Sequence, residues 1–313
     1  MNMEAFILGA GGTMPLPNRH LTSVLLRREG EVFLFDAGEG TQVSLRALNL
    51  KWKKISAILI SHTHADHVTG LPGMLMLSSQ VDREEPLYVI GPPRVAEYVE
   101  SNRRALEMYI NFEIRVREIP NPREPQQVFQ GDGYAIHSFP LRHSRVCVGY
   151  TLIEEDRPGL FFPERAEAAG VPRGPLWSRL QAGEAVTLED GRRVQSEEVV
   201  GTPRRGRKFT YMTDTLPVDS VIPHIANSDL LISEGMFTEE HRETALVKKH
   251  MTAADAGRLA ARAGGITRLG LIHYSPRFTN RQLTDLLREA QEQFPDTFLT
   301  RDRMHVDIPY QEE

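Results

Sequence analysis

The apolar run Ala57-Ile58-Leu59-Ile60 leads directly into Ser61-His62-Thr63-His64-Ala65-Asp66-His67. This junction constrains the fold more than any other feature, because a buried strand has to end where four ligand-type side chains can be satisfied together. In extended chain His62 and His64 point the same way, and the turn that follows can bring Asp66 and His67 round to a neighbouring point. One segment can thus serve two metal ions. Imidazole nitrogen with carboxylate oxygen, and no cysteine, suits zinc, manganese or iron, with zinc the first choice. A histidine-rich loop that binds nothing is the competing reading, and it leaves polar groups packed beneath a strand end without compensation.

Ligands from one segment cannot close two coordination shells. His143, Asp214 and His273 are the candidates to complete them, since each sits at or near the end of an apolar strand-like run (PLRHS, YMTDT and LIHYS). Taken singly, each reads more readily as an ordinary loop residue than as a ligand. His20, His137, His224, His241 and His305 have no such setting and read as structural or surface.

Along the chain, apolar or β-branched runs at 5–8, 22–26, 31–36 and 56–61 predict strands, as do 112–119, 134–139 and 146–154. Helical spacing appears from Gly40 and from Arg94, where Pro92 and Pro93 suit a helix start. Between Arg157 and Lys208 the apolar periodicity fades, and ten basic residues face seven carboxylates. That stretch reads as an inserted arm, either a solvated excursion or a local basic surface within a chain of net charge −5. Strands resume in KFTYMTD, DLLISE and RLGLI, with helices in TAADAGRLAARAG and TNRQLTDLLREAQEQF. The alternation predicts two αβ halves folded together around a single domain, 1–313.

With 313 residues, 40% of them hydrophobic, the chain needs no disulfide staple, and its one cysteine, Cys147, has no internal partner to pair with. The start lacks a basic leader followed by a long apolar run, and no stretch approaches the roughly 20 apolar residues that span a bilayer. The expectation is a soluble, cytoplasmic protein without membrane insertion. The glycines of GAGGT at 9–13 do not follow dinucleotide spacing and read as a tight turn under the site, so no nucleotide cofactor is expected.

SHTHADH resembles the His-x-His-x-Asp-His signature of the metallo-β-lactamase superfamily. Together with ILGAGGTMPLPNRHLTSVLL, LFDAGEGTQ, HADHVTGLPGML, GTPRRGRKFTYMTDT, KHMTA and HYSPRF, it makes nearly the whole chain similar to the ribonuclease Z family. The resemblance implies a four-layer αββα sandwich with an inserted arm at 157–208 that grips substrate. It also implies removal of the 3′ trailer from precursor tRNA by phosphodiester hydrolysis, in a homodimer. By the same resemblance His62, His64 and His143 bind one zinc, Asp66, His67 and His273 bind the other, and Asp214 bridges the two. Manganese is the other candidate ion. Asp66 is implied as general base, and His250, oriented by Glu234, as the group facing the departing 3′ oxygen. Ser275 and Arg277 resemble positions that touch substrate phosphate.

Two departures stand out: Ser233 to Met236 reads Ser-Glu-Gly-Met where many relatives have His-Glu-Ala-Thr, and Met251 stands where they have serine. Asp36 in LFDAGEG could hydrogen-bond a ligand imidazole and fix its tautomer, or simply end a strand. A phosphodiesterase acting on small or cyclic nucleotides is the alternative. An insertion of about 50 residues, beyond the usual loop range, counts against it.

Overall fold

The computed structural model describes residues 2–81 and 83–311. Sixteen strands form among them: β1 (Met3–Gly9), β2 (Ser23–Arg28), β3 (Glu31–Phe35), β4 (Ile55–Leu59), β5 (Leu87–Gly91), β6 (Ile114–Glu118), β7 (Gln126–Gly131), β8 (Tyr134–Arg142), β9 (Val146–Glu154), β10 (Val186–Thr187), β11 (Arg193–Val194), β12 (Lys208–Met212), β13 (Leu230–Glu234), β14 (Leu269–Ile272), β15 (Thr297–Leu299) and β16 (Met304–Asp307). One seven-stranded sheet runs β16-β1-β2-β3-β4-β5-β6, and a second runs β15-β14-β13-β12-β9-β8-β7.

Each sheet is antiparallel on one side and parallel on the other. β3 through β6 are parallel, as are β12 through β15. Parallel strands buried on both faces read as nearly unbroken apolar runs, which is why AILI and LLIS carry little alternation. Period two survives in the packing. Phe33 and Phe35 join a core shared with Tyr150, Phe209 and Tyr211 of the second sheet. Val32 and Leu34 instead meet the layer that contains Leu45, Leu71, Met74, Val95 and Val99 from helices Thr41–Ala47, Leu71–Ser79 and Val95–Ala105. Helices Ala253–Ala263 and Leu283–Gln291 add Ala256, Leu259, Leu283 and Leu286 to the shared core. Two sheets between helices form the four layers expected from the sequence.

The helix expected from Arg94 ends at Ala105, short of Ile110, and Arg94 itself precedes it in left-handed backbone (φ 85°). By contact density the chain divides into two units: one runs to Ile153 and resumes at Lys208, and the other is Glu154–Arg207. The second unit has its own helices, Pro163–Ala168, Pro175–Gln181 and Ser196–Val199, and the β10–β11 ladder. Ala166, Val171, Leu180, Val186, Val194 and Val199 form a small apolar core within it. The faded periodicity of the sequence concealed this core, because elements of two to seven residues are too short to display a repeat. Where this unit begins and ends, Arg207 donates to both oxygens of Glu154 (Nε to Oε2 2.8 Å, Nη2 to Oε1 2.9 Å), and both side chains are buried. No helix among the described residues is long and apolar enough to cross a membrane.

Candidate metal centre

The candidate residues gather because strand ends gather. Asp36 directly follows β3, Ser61 to His67 follow β4, His143 follows β8, Asp214 lies just past β12, Glu234 closes β13 and His273 follows β14. Parallel neighbours in register end at one level, so their carboxyl ends line a single rim. Glu234 pairs with Ile272 across the ladder, which sets it beside His273.

At that rim two groups of ligand-type atoms converge: His62, His64, His143 and Asp214 in one, Asp66, His67 and His273 in the other. In the first, His62 Nε2 lies 2.9 Å and His143 Nε2 3.1 Å from His64 Nδ1, and Asp214 Oδ2 lies 3.5 Å from His62 and 3.6 Å from His143. In the second, His67 Nε2 lies 3.2 Å from His273 Nε2, and Asp66 Oδ2 lies 3.1 Å from His273 and 3.7 Å from His67. Asp214 Oδ1 joins this second group, 3.4 Å from His67 and 3.3 Å from His273. Ligands about 2.0–2.1 Å from a tetrahedral ion sit roughly 3.3 Å from one another, so both groups have the size of a coordination shell.

The tautomers point to the same conclusion. Asp36 is fully buried and accepts four hydrogen bonds at 2.7 Å, from Ser61 N and Ser61 Oγ, from His67 Nδ1 and from the Tyr211 hydroxyl. Because Ser61 Oγ donates to Asp36, it is left to accept from His62 Nδ1 at 3.0 Å. His143 Nδ1 donates to the Lys249 carbonyl at 2.9 Å. Each of these three imidazoles therefore carries its proton on Nδ1 and turns a bare Nε2 inward. The bare Nε2 atoms of His62, His67 and His143 face Asp214 oxygens at 3.5, 3.4 and 3.6 Å, an arrangement that repels unless a cation lies between them, and that is the fit of these residues to divalent metal.

The electrostatics agree. Burial holds the His62, His64 and His143 pKa values below the usual range, aided at each by neighbouring histidines. At His67 burial opposes protonation, but the Asp214, Asp66 and Asp36 carboxylates outweigh it and push the pKa well up. Burial raises the Asp66 and Asp214 carboxyls, yet the surrounding imidazoles bring both well below the ordinary carboxylate value. The rim sets carboxylates of lowered pKa beside imidazoles that burial keeps neutral at His62, His64 and His143, and the raised His67 value shows that it draws positive charge.

The backbone makes room at a cost. Asp36 (φ 55°), Lys249 (φ 59°) and His273 (φ 64°) are all left-handed non-glycine residues, a conformation that costs on the order of 1–3 kcal/mol each. Gly12 lies so close to His273 that a Cβ there would come within 2.6–2.7 Å of three ring atoms. Of the stretch GAGGT, Gly9 ends β1 and Gly11 bridges Leu21 and Tyr274, so the expected tight turn is confined to its end, where Met14 N donates to Gly12 O at 2.8 Å. His273 Nδ1 is buried with no hydrogen-bond partner among the described residues.

Beside the metal-type groups, His250 Nδ1 contacts Glu234 Oε2 at 3.1 Å and lies 3.9 Å from Asp214 Oδ2. Burial lowers its pKa, but Glu234 and Asp214 overcome this and push it up to about 9. Glu234 also accepts from the backbone N–H of Thr215 at 2.6 Å, so its orientation is fixed from two sides. Ser275 is buried two residues beyond His273, and the exposed Arg277 lays its guanidinium 5.1 Å from the Phe237 ring centre. Sequence reading did not anticipate Tyr211, Thr13 or Lys249. Thr13 N donates to Asp66 Oδ2 at 2.7 Å. Main-chain donors and acceptors leave no trace in residue type, and Tyr211 reaches Asp36 across the sandwich, where spacing carries no signal.

Comparison with known proteins follows the same lines. The family described as "Anti-Pycsar protein Apyc1" matches residues 3–153, a stretch that holds His62 to His67 and His143 but neither Asp214 nor His273. Ribonuclease Z of Treponema denticola is 56% identical over 312 residues, covering all of both chains. Ribonuclease Z of Treponema pallidum is 58% identical over 312 residues, covering all of this chain and 99% of its own. The chain belongs to the ribonuclease Z family. The crystal structure of the short form of human tRNase Z superposes with a TM-score of 0.71 at 23% identity, covering 98% of this chain and 99% of that one, and it supports the fold. As a member of the ribonuclease Z family, the chain is a metal-dependent hydrolase on a metallo-β-lactamase fold, and its histidine and aspartate groups could hold divalent metal.

Proposed function

We propose that this enzyme is the endoribonuclease that cuts the 3′ trailer from precursor tRNA, leaving a 3′-hydroxyl on the tRNA. The observation that carries the reading is the pair of adjoining donor groups joined by Asp214, whose Oδ2 faces His62 and His143 and whose Oδ1 faces His67 and His273. His62, His64 and His143 would hold one zinc, Asp66, His67 and His273 the other, with Asp214 between them. Such ions polarise a phosphoryl oxygen and lower the pKa of a water.

The chain's own groups supply the rest. Asp66 presents Oδ2 to the imidazoles, while Oδ1 has no hydrogen-bond partner among the described residues and is placed to take a proton from the attacking water. His250 directs Nδ1–H at Glu234, so its Nε2 side, protonated at neutral pH, is left for the departing 3′ oxygen. Ser275 and Arg277 follow His273 and would meet the substrate phosphates. We assign the basic arm, 157–208, to gripping folded tRNA, since A-form RNA is recognised mainly through shape and phosphate contacts. A homodimer follows from the family, and a cytoplasmic setting suits an unpaired cysteine and an RNA substrate.

The test is a precursor tRNA with a 3′ trailer, incubated with the wild-type protein and with Asp66→Ala and His250→Ala under single-turnover conditions. A cut at the trailer junction that both variants lose supports the reading. An unchanged rate in His250→Ala removes that residue's role, and cleavage that survives Asp66→Ala removes the metal mechanism. Deleting the arm is expected to raise KM for precursor tRNA while sparing hydrolysis of bis(p-nitrophenyl) phosphate. Equal loss of both contradicts the arm's assignment.

A further inference from the structure

We infer that Tyr211 is a positioning residue for the metal centre, its buried hydroxyl holding Asp36 so that His67 and His62 present their Nε2 atoms at the right place. This rests on the reading that the two donor groups hold divalent ions. Tyr211 lies on β12 in the second sheet, whereas Asp36, Ser61, His62 and His67 all follow strands of the first. Its ring is fully buried against Phe35 (centroids 5.6 Å apart), and its hydroxyl reaches Asp36 Oδ2 at 2.7 Å. Asp36 sits in left-handed backbone at the end of β3, a position that local structure alone does not favour.

The hydrogen bonds have a direction. Tyr211 donates to Asp36, which accepts from His67 Nδ1–H directly and from Ser61 Oγ–H, and Ser61 Oγ in turn accepts from His62 Nδ1–H. One imidazole from each donor group is thus aligned by one carboxylate, and that carboxylate is fastened to the opposite sheet by one hydroxyl. Two residues further on, just past the end of β12, Thr213 Oγ1 donates to Asp214 Oδ1 at 2.7 Å. β12 therefore leads directly into Asp214 and, through Tyr211, steadies the orientation of the imidazoles opposite it. The phenol itself is no ligand and stays remote from substrate.

The prediction concerns metal affinity in a folded protein. Outer partners of ligand imidazoles are worth about 10–100-fold in affinity. Tyr211→Phe leaves Asp36 three of its four donors, so roughly a tenfold loss is expected, concentrated on the ion held by Asp66, His67 and His273. The probe is Co²⁺ titrated into metal-free protein and read by its d–d absorption, with Zn²⁺ competition against a chelator as a second measurement. Wild type, Tyr211→Phe, Asp36→Asn and the double variant form a cycle. Because Tyr211 acts through Asp36, adding Tyr211→Phe to Asp36→Asn is expected to cause little further loss. Tyr211→Phe with wild-type affinity overturns the inference, as does a fully additive double variant. A Tyr211→Phe protein whose metal-free stability falls while its affinity holds shows a structural role only, and this too overturns it. If Asp36→Asn does not fold, the single Tyr211→Phe comparison still decides. If wild type itself binds no Co²⁺, the metal reading fails rather than this refinement of it.

Discussion

Replacing Arg207 with methionine is expected to loosen the unit Glu154–Arg207 without unfolding the rest of the enzyme. The side chains of Glu154 and Arg207 are 3% and 2% exposed, and the guanidinium reaches both carboxylate oxygens while the Arg207 N–H reaches Oε2 at 3.1 Å. Removing one member of such a buried pair costs about 3–5 kcal/mol, most of it from the charge left behind. The unit has a core of seven buried aliphatic residues, with Phe161 and Trp177 packed against it, to resist this. At about 1.4 kcal/mol per tenfold, amide exchange in residues 155–206 should accelerate on the order of 10²- to several 10³-fold, while amides of β1 to β4 keep their wild-type rates. The assay is hydrogen exchange read by mass spectrometry on peptic fragments. Arg207→Met combined with Glu154→Leu replaces the pair by apolar bulk and is expected to recover most of the protection. Unchanged exchange in the single variant refutes the reasoning, and so does a double variant worse than either single.

Gly12→Ala drives a methyl into the His273 ring, which its left-handed backbone holds in place, so the ring has to tilt away from Asp66 and Asp214. Turnover is expected to fall roughly a hundredfold and Co²⁺ affinity with it, and wild-type values for both would show that the ring has room to move. Glu239 gives a pH signature. Burial raises its carboxyl, but hydrogen bonds from Arg242, Thr252 and Arg258 win and bring it from 4.5 to about 2. A depressed folded-state pKa stabilises above the unfolded value and is lost as protons bind. The stability gap between wild type and Glu239→Gln should thus be flat above pH 5 and close as pH falls from about 4.5 to about 2. Urea midpoints across that range measure it, and a gap that is constant throughout argues against the ion pairs.

Much of this was legible because chemistry and pattern coincide at a few places. SHTHADH after AILI declares both a strand end and a ligand set, and His143, Asp214 and His273 stand out for the same reason. Glu234 and His250 were legible only through likeness to relatives, and the structure puts them in contact. What stayed hidden is what depends on distant chain meeting. Asp36 had two readings, and only the approach of His67, Ser61 and Tyr211 separates them. The carbonyl of Lys249 is offered to His143 by a left-handed turn at a residue whose identity says nothing of it. Within the arm, several very short elements enclose an apolar cluster that no window of sequence is long enough to reveal.

Ile153 and Lys208 face each other directly across the β9–β12 ladder. The excursion between them departs and returns at one rung, as the loop of an antiparallel hairpin does, so its length is invisible to the sheet. Evolution can lengthen, exchange or erase it while the two sheets stay in register, and an engineer can graft another unit at the same rung.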